Sequence, residues 1–262
     1  MLKLDRVFFA LGLIGLGVLS LVYRDFALQW QPVPASVPGR EFLAYASGAV
    51  LILSGAGLLS RRTASLASGV LLVYLLLWLL LLKLPHVVMA PQLEFNWLGF
   101  GEIAVIVAAG WVLFAGDRGQ QESAKFKFAT GESGMRIARL IFGLALIPVG
   151  LSHFVYAPQT IGFVPAWLPF RPAWAYLGGA GHIAAGFGVL FGVFPRLAAL
   201  LEAGMIGVFT ALVWVPLVVK TPTSQLNWTG LLISWTIGAA AWVVAGSMSS
   251  KQTSSAAEFA ES

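Results

Sequence analysis

Eight apolar stretches follow one another along this chain, each about as long as a bilayer is thick, and that succession decides what the chain can fold into. They run at about residues 7–23, 42–60, 64–82, 97–115, 135–156, 173–194, 197–219 and 228–246. Roughly 20 apolar residues in a helix cross about 30 Å of hydrocarbon. Backbone polar groups there must bond within their own segment, so helices are expected throughout. Composition agrees: 58% of residues are hydrophobic and only 10% charged, with a mean hydropathy of +0.85. The expected fold class is therefore an all-α integral membrane protein with eight transmembrane helices. The absence of cysteine excludes disulfides, thiol relays, Cys-ligated zinc and iron–sulfur clusters. The first stretch resembles a signal peptide in length and in its preceding Lys3 and Arg6, but no small-residue cleavage site follows, so it is expected to stay as a helix.

The cations set an orientation. With eight crossings, the termini, the turns after the second and sixth helices and the central polar stretch share one side, which carries eleven Lys and Arg against five on the other. The positive-inside rule then places both termini in the cytoplasm, in a bacterial-type inner membrane, with the Pro- and Trp-rich loops facing outward. A basic balance of +5 distributed in this way speaks for lipid rather than nucleic acid.

The chain also repeats itself. Asn96-Trp97-x-Gly99 recurs in the second half as Asn227-Trp228-x-Gly230, and Ala44-Tyr45-x-x-Gly48 recurs at the same interval as Ala175-Tyr176-x-x-Gly179. Gly17 and Tyr23 match Gly150 and Tyr156 at an interval two positions longer. The expected organisation is two tandem four-helix bundles in the same orientation: repeat 1 over 1–116, a cytoplasmic linker over 117–134, repeat 2 over 135–247, and a disordered tail over 248–262. An even number of helices per half makes the repeat parallel, about an axis along the membrane normal.

Polar groups inside apolar segments mark candidate sites. His182 lies about eight residues, roughly 12 Å, below the outer end of its helix, on a face shared with Gly178, Ala185 and Gly186. His153 sits one turn below the outer end of the preceding helix, so the two imidazoles are expected to meet in the outer leaflet, as a ligand-binding pair or as buried histidines bonded to each other or to carbonyls. Haem ligation by both is disfavoured by their offset in depth. Glu102, about six residues into the fourth helix, is a further ligand-binding candidate or a partner for His86, Lys83 or a histidine. Glu202 is expected to form a structural ion pair with Arg139. Most tryptophans suit the interface, but Trp167 and Trp174, in the loop over the histidines, are candidates for a lid. No catalytic residue and no metal-ligand set is identified, and dinucleotide-binding glycine patterns, phosphate loops, zinc-protease helices and nucleophile elbows do not occur.

The run Gly150-x-x-His153-Phe154, then Pro158 and Val164-Pro165-x-Trp167-Leu168-Pro169, resembles the DoxX-like family of membrane proteins. So does Tyr176-Leu177-Gly178-Gly179 leading through His182 to Phe194-Pro195-Arg196. The resemblance covers about 139–246 well and 6–110 in pattern only. It implies a four-helix fold and an association with membrane oxidoreductases, including the thiosulfate:quinone oxidoreductase group. Many relatives carry Glu in the second helix where this chain has His182, and the first half has Leu51 and Ser20 at the positions of His182 and His153. Three functions follow as expectations: a redox-associated subunit binding a quinone or similar lipid-soluble ligand in an outer-leaflet pocket, a structural or assembly subunit of a larger membrane protein complex, or a small proton-coupled carrier using Glu102 and His182.

Overall fold

A computed structural model describes residues 3–118 and 127–248. Among the described residues every regular element is helical. The main helices are α1 (Leu4–Tyr23), α2 (Arg40–Leu58), α3 (Ala64–Met89), α4 (Glu94–Arg118), α5 (Gly131–Val155), α6 (Arg171–Leu190), α7 (Pro195–Lys220) and α8 (Gln225–Gly246). All but α6 are long and apolar enough to cross a membrane, which gives seven such helices where eight were expected. Helix α6 has 20 residues, about 30 Å of rise, but its five glycines and His182 keep its hydropathy low. Part of the expected linker, 119–126, and nearly all of the expected disordered tail, 249–262, lie outside the described residues. The linker's last residues, from Gly131, already belong to α5.

Both α3 and α7 widen into a π-helical turn, at Trp78–Lys83 and Thr210–Trp214, before resuming as Leu84–Met89 and Val215–Lys220. The cause is a proline one residue into each resumed segment. Pro85 and Pro216 have no N–H to give the carbonyls of Leu81 and Leu212, so the ladder must re-register around them.

The helices pack as a ring, each against its neighbours in sequence, with α8 closing onto α1. A contact between α4 and α8 crosses the ring, so these two helices form its inner partition and bury 72% of their membrane-length windows. Neither half closes tightly on itself: α1 leans on α8 and α5 on α4, so the halves pack against each other through these helices. The long loops gather at one end, where Tyr23 Oη donates to the Thr223 carbonyl, Gln225 to the Phe26 carbonyl, and Phe95 N–H to Tyr156 Oη. At the other end Arg6 pairs with Asp117 at 2.5 Å, and Arg139 with Ser247.

Local contacts recur at the interval seen in the sequence. Asn96 Nδ2 caps the end of α3 at the His86 carbonyl (2.8 Å), and Asn227 Nδ2 caps the end of α7 at the Leu217 carbonyl (3.2 Å). Trp97 and Trp228 donate to the carbonyls of Pro91 and Pro222 at 2.9 and 2.8 Å. Arg40 and Arg171 reach back to the Val33 and Val164 carbonyls. Donors and acceptors alike keep the spacing of the two Asn-Trp dipeptides. The helix crossings follow suit, because a Cβ at Gly17 would strike the Gly48 carbonyl and one at Gly150 the Gly179 carbonyl, at 2.5 and 2.6 Å. Only glycine permits backbones this close.

Candidate functional site

The crossing at Gly150 and Gly179 brings the two histidines together. A Cβ at Gly179 would lie 2.7 Å from His153 Cβ, and one at Gly178 would lie 3.2 Å from its Cε1, so the imidazole of α5 beds into bare backbone on α6. His153 Nδ1 lies 3.1 Å from the Ala175 carbonyl. A carbonyl only accepts, so Nδ1 carries the proton and Nε2 is left with its lone pair. The His153 and His182 ring centroids are 5.2 Å apart at 58°. Both sequence candidates therefore belong to one site, with His153 half-buried and His182 buried.

Behind His182 stands Glu202 of α7. His182 Nδ1 and Glu202 Oε1 are 2.7 Å apart, with side-chain exposures of 5% and 0%. Glu202 Oε2 is buried and has no hydrogen-bond partner. The expected Glu202–Arg139 ion pair does not form: Arg139 pairs with Glu132 at 2.9 Å and bonds Ser247, near the other end of the bundle. The sequence signal that points to the observed pair is spacing. His182 and Glu202 lie on consecutive antiparallel helices at nearly equal distances from the turn at 191–194, which puts them at one level.

Glu102 stands on α4 of the other half. Helix α4 lies against α5, where a Cβ at Gly101 would strike the Ala145 carbonyl. Glu102 Oε2 accepts from Trp30 Nε1 at 2.9 Å. His86, offered as a partner, instead gives its carbonyl to Asn96. Trp30 and Gln31 join the site without a motif to announce them, and Lys83 takes a different acceptor from the one its charge suggests. The segment 26–31 plunges into the bundle, with Trp30 only 4% exposed and its carbonyl taking Trp78 Nε1 at 2.6 Å. Lys83 Nζ donates to the Gln29 carbonyl at 2.7 Å, and Gln31 Nε2 donates to Tyr74 Oη at 2.7 Å. The lid candidates Trp167 and Trp174 are exposed, and the Trp174 indole is spent on the Pro169 carbonyl.

In the first half, Leu51 and Leu71, which precede His182 and Glu202 by the interval between the two Asn-Trp dipeptides, are 1% and 0% exposed, and Ser20 precedes His153 by the interval between Tyr23 and Tyr156. One half thus fills with hydrocarbon the place that the other gives to an ionisable pair.

A family model described as DoxX matches residues 134–215. His153, His182 and Glu202 all fall inside the DoxX match, whereas Glu102 and Trp30 fall outside it. No curated protein and no solved structure matches the chain significantly.

Proposed function

We propose that this chain is a redox-associated membrane subunit whose second half binds a quinone-type, lipid-soluble ligand beside a proton-holding centre made of His153, His182 and Glu202. The reading takes all eight main helices, α6 included, as crossings, with the two halves as a parallel tandem repeat and both termini and the 117–134 linker on the cytoplasmic side. The long-loop end then faces outward and the histidines lie in the outer leaflet. The observation that carries it is the buried 2.7 Å contact between His182 and Glu202, with the second carboxylate oxygen unpartnered. Burying an ion pair is seldom worth more than packing hydrocarbon in its place, and the first half manages with two leucines.

The residues fit such a ligand. His153 Nε2 offers an acceptor at a half-buried edge, and His182, one ring away, backs it with a second. A bound quinone supplies two-electron, two-proton chemistry. The protein's share is to hold the ring's polar edge at the imidazoles and to store a proton: His182 takes it at Nε2, and Glu202, ionised behind Nδ1, balances the imidazolium. Glu102 adds a second carboxylate from the first half, held by Trp30. Docking to an electron-donating protein subunit belongs to the same proposal.

Extraction of lipids co-purifying with the wild-type chain and with His182→Leu tests the reading. Quinone is expected in the wild type and absent from the variant at equal folded yield. Wild-type protein without quinone, together with a His182→Leu melting temperature lowered and nothing else changed, would favour a purely structural pair.

A further inference from the structure

The two halves treat the loop after their first helix in opposite ways. In the first half the segment 26–31 is inserted: Trp30 is 4% exposed, its carbonyl binds Trp78, and the neighbouring Gln29 carbonyl binds Lys83. In the second half the corresponding segment is a short helix, Ala157–Phe163, with no buried residue. Its last residue, Phe163, follows Trp30 by the same interval that separates Tyr23 from Tyr156. The Phe163 ring centroid lies 6.5 Å from that of Phe209 and 6.0 Å from that of Trp214. Those two residues are the repeat counterparts of Trp78 and Lys83. The same address is therefore occupied twice, by a fully inserted indole in one half and by a phenyl ring 44% exposed in the other.

Beneath the inserted Trp30 lies a carboxylate that accepts its N–H; the repeat counterpart of Glu102 is Ile233, buried and apolar. Nothing polar on that side holds Phe163 down. Along α7, Phe209 lies seven residues, about 10 Å, from Glu202 toward the long-loop end, so the phenyl ring stands at a level on the long-loop side of Glu202.

We propose that Phe163 is the gate of the ligand site, and that the flat ring of a quinone takes, against Phe209 and Trp214, the place that Trp30 holds against Trp78 and Lys83 in the first half. This deepens the reading above and rests on it. The recognised chemistry is a planar ring of about indole size, apolar on the Ile233 side, with hydrogen-bonding oxygens on the edge facing His153 and His182. Behind them His182 Nδ1 and Glu202 Oε1 are 2.7 Å apart.

The full chain in nanodiscs, titrated with decylubiquinone, tests the gate. Phe163→Ala is expected to speed association at least fivefold. Phe163→Trp with Ile233→Glu rebuilds the Trp30–Glu102 latch over the site and is expected to weaken binding at least tenfold, with His153 and His182 untouched. Leu53→Ala, at a position of α2 that is 71% exposed and far from the histidines in sequence, is expected to leave the dissociation constant unchanged. If the latched pair fails to fold, the Phe163→Ala association rate decides alone. Unchanged kinetics in Phe163→Ala, with binding still lost in His182→Leu, would overturn the gate and keep the site. No decylubiquinone binding by the wild type would remove the site and the gate together.

Discussion

Replacing both members of the buried pair should hurt less than replacing either. His182→Leu leaves the Glu202 carboxylate buried with no partner for either oxygen, and Glu202→Leu leaves His182 Nδ1 without its acceptor. Removing one member of a fully desolvated pair costs about 3–5 kcal/mol when the survivor stays charged, and about 1–3 kcal/mol when it survives as a neutral orphan. The double variant His182→Leu/Glu202→Leu copies the first half, where Leu51 and Leu71 are buried at the corresponding positions of the repeat. Hydrocarbon of similar volume in place of a buried pair is neutral or stabilising by about 1–4 kcal/mol. On that scale the double should lie within about 1 kcal/mol of wild type or above it, and the cycle should show a coupling of at least about 2 kcal/mol. Thermal unfolding of the four proteins in one detergent measures this. If the two single costs simply add in the double, the α6–α7 interface depends on each side chain separately and the comparison with Leu51 and Leu71 fails. The double variant also separates stability from function, since a protein restored in melting temperature but empty of quinone places the pair in binding rather than in folding.

Other outcomes follow from single contacts. Gly179→Ala sets a methyl 2.7 Å from His153 Cβ and 2.8 Å from the Gly150 carbonyl, so it should cost about 1–3 kcal/mol in thermal unfolding and move the histidine off its Ala175 bond. Trp30→Phe keeps most of the ring but removes the donor to Glu102, and a stability loss of about 1–3 kcal/mol is expected in the same assay. On the cytoplasmic reading, a cysteine placed in 117–134 should resist membrane-impermeant thiol reagents in intact cells and react once the membrane is opened. Labelling from outside would refute that orientation.

Much of the fold is legible because lipid enforces it. A chain with long apolar runs must make helices, and the Asn-Trp dipeptides at 96–97 and 227–228 are caps with the same task at both places. The meeting of His153 and His182 is legible too, since consecutive helices joined by one loop offer few other ways to bury two imidazoles. Which helix faces which is not. Charge alone assigns Glu202 to Arg139, whereas the packing of α6 on α7 gives it to His182. The interlocking of α1 with α8 and of α5 with α4 leaves no trace in periodicity, because small residues line nearly every helix. The inserted segment 26–31 is hidden for a different reason: Trp30, Gln31 and Lys83 look like ordinary interfacial residues until one sees that each satisfies a buried backbone or side-chain partner.

The interlocked packing also bears on why the half that the DoxX model matches should sit beside a half without the histidines. Helix α5, which carries His153, leans on α4, which carries Glu102, and α4 is tied through Trp30 to the plugged loop of the first half. The first half thus backs the helix that carries His153. In the first half Trp30, Gln31, Leu51 and Leu71 are all buried. A rigid, filled partner fixes α4, and a fixed α4 holds α5 at the crossing where only Gly150 and Gly179 let His153 reach His182. Loosening that partner should therefore disturb the histidines even though no residue of the second half has changed.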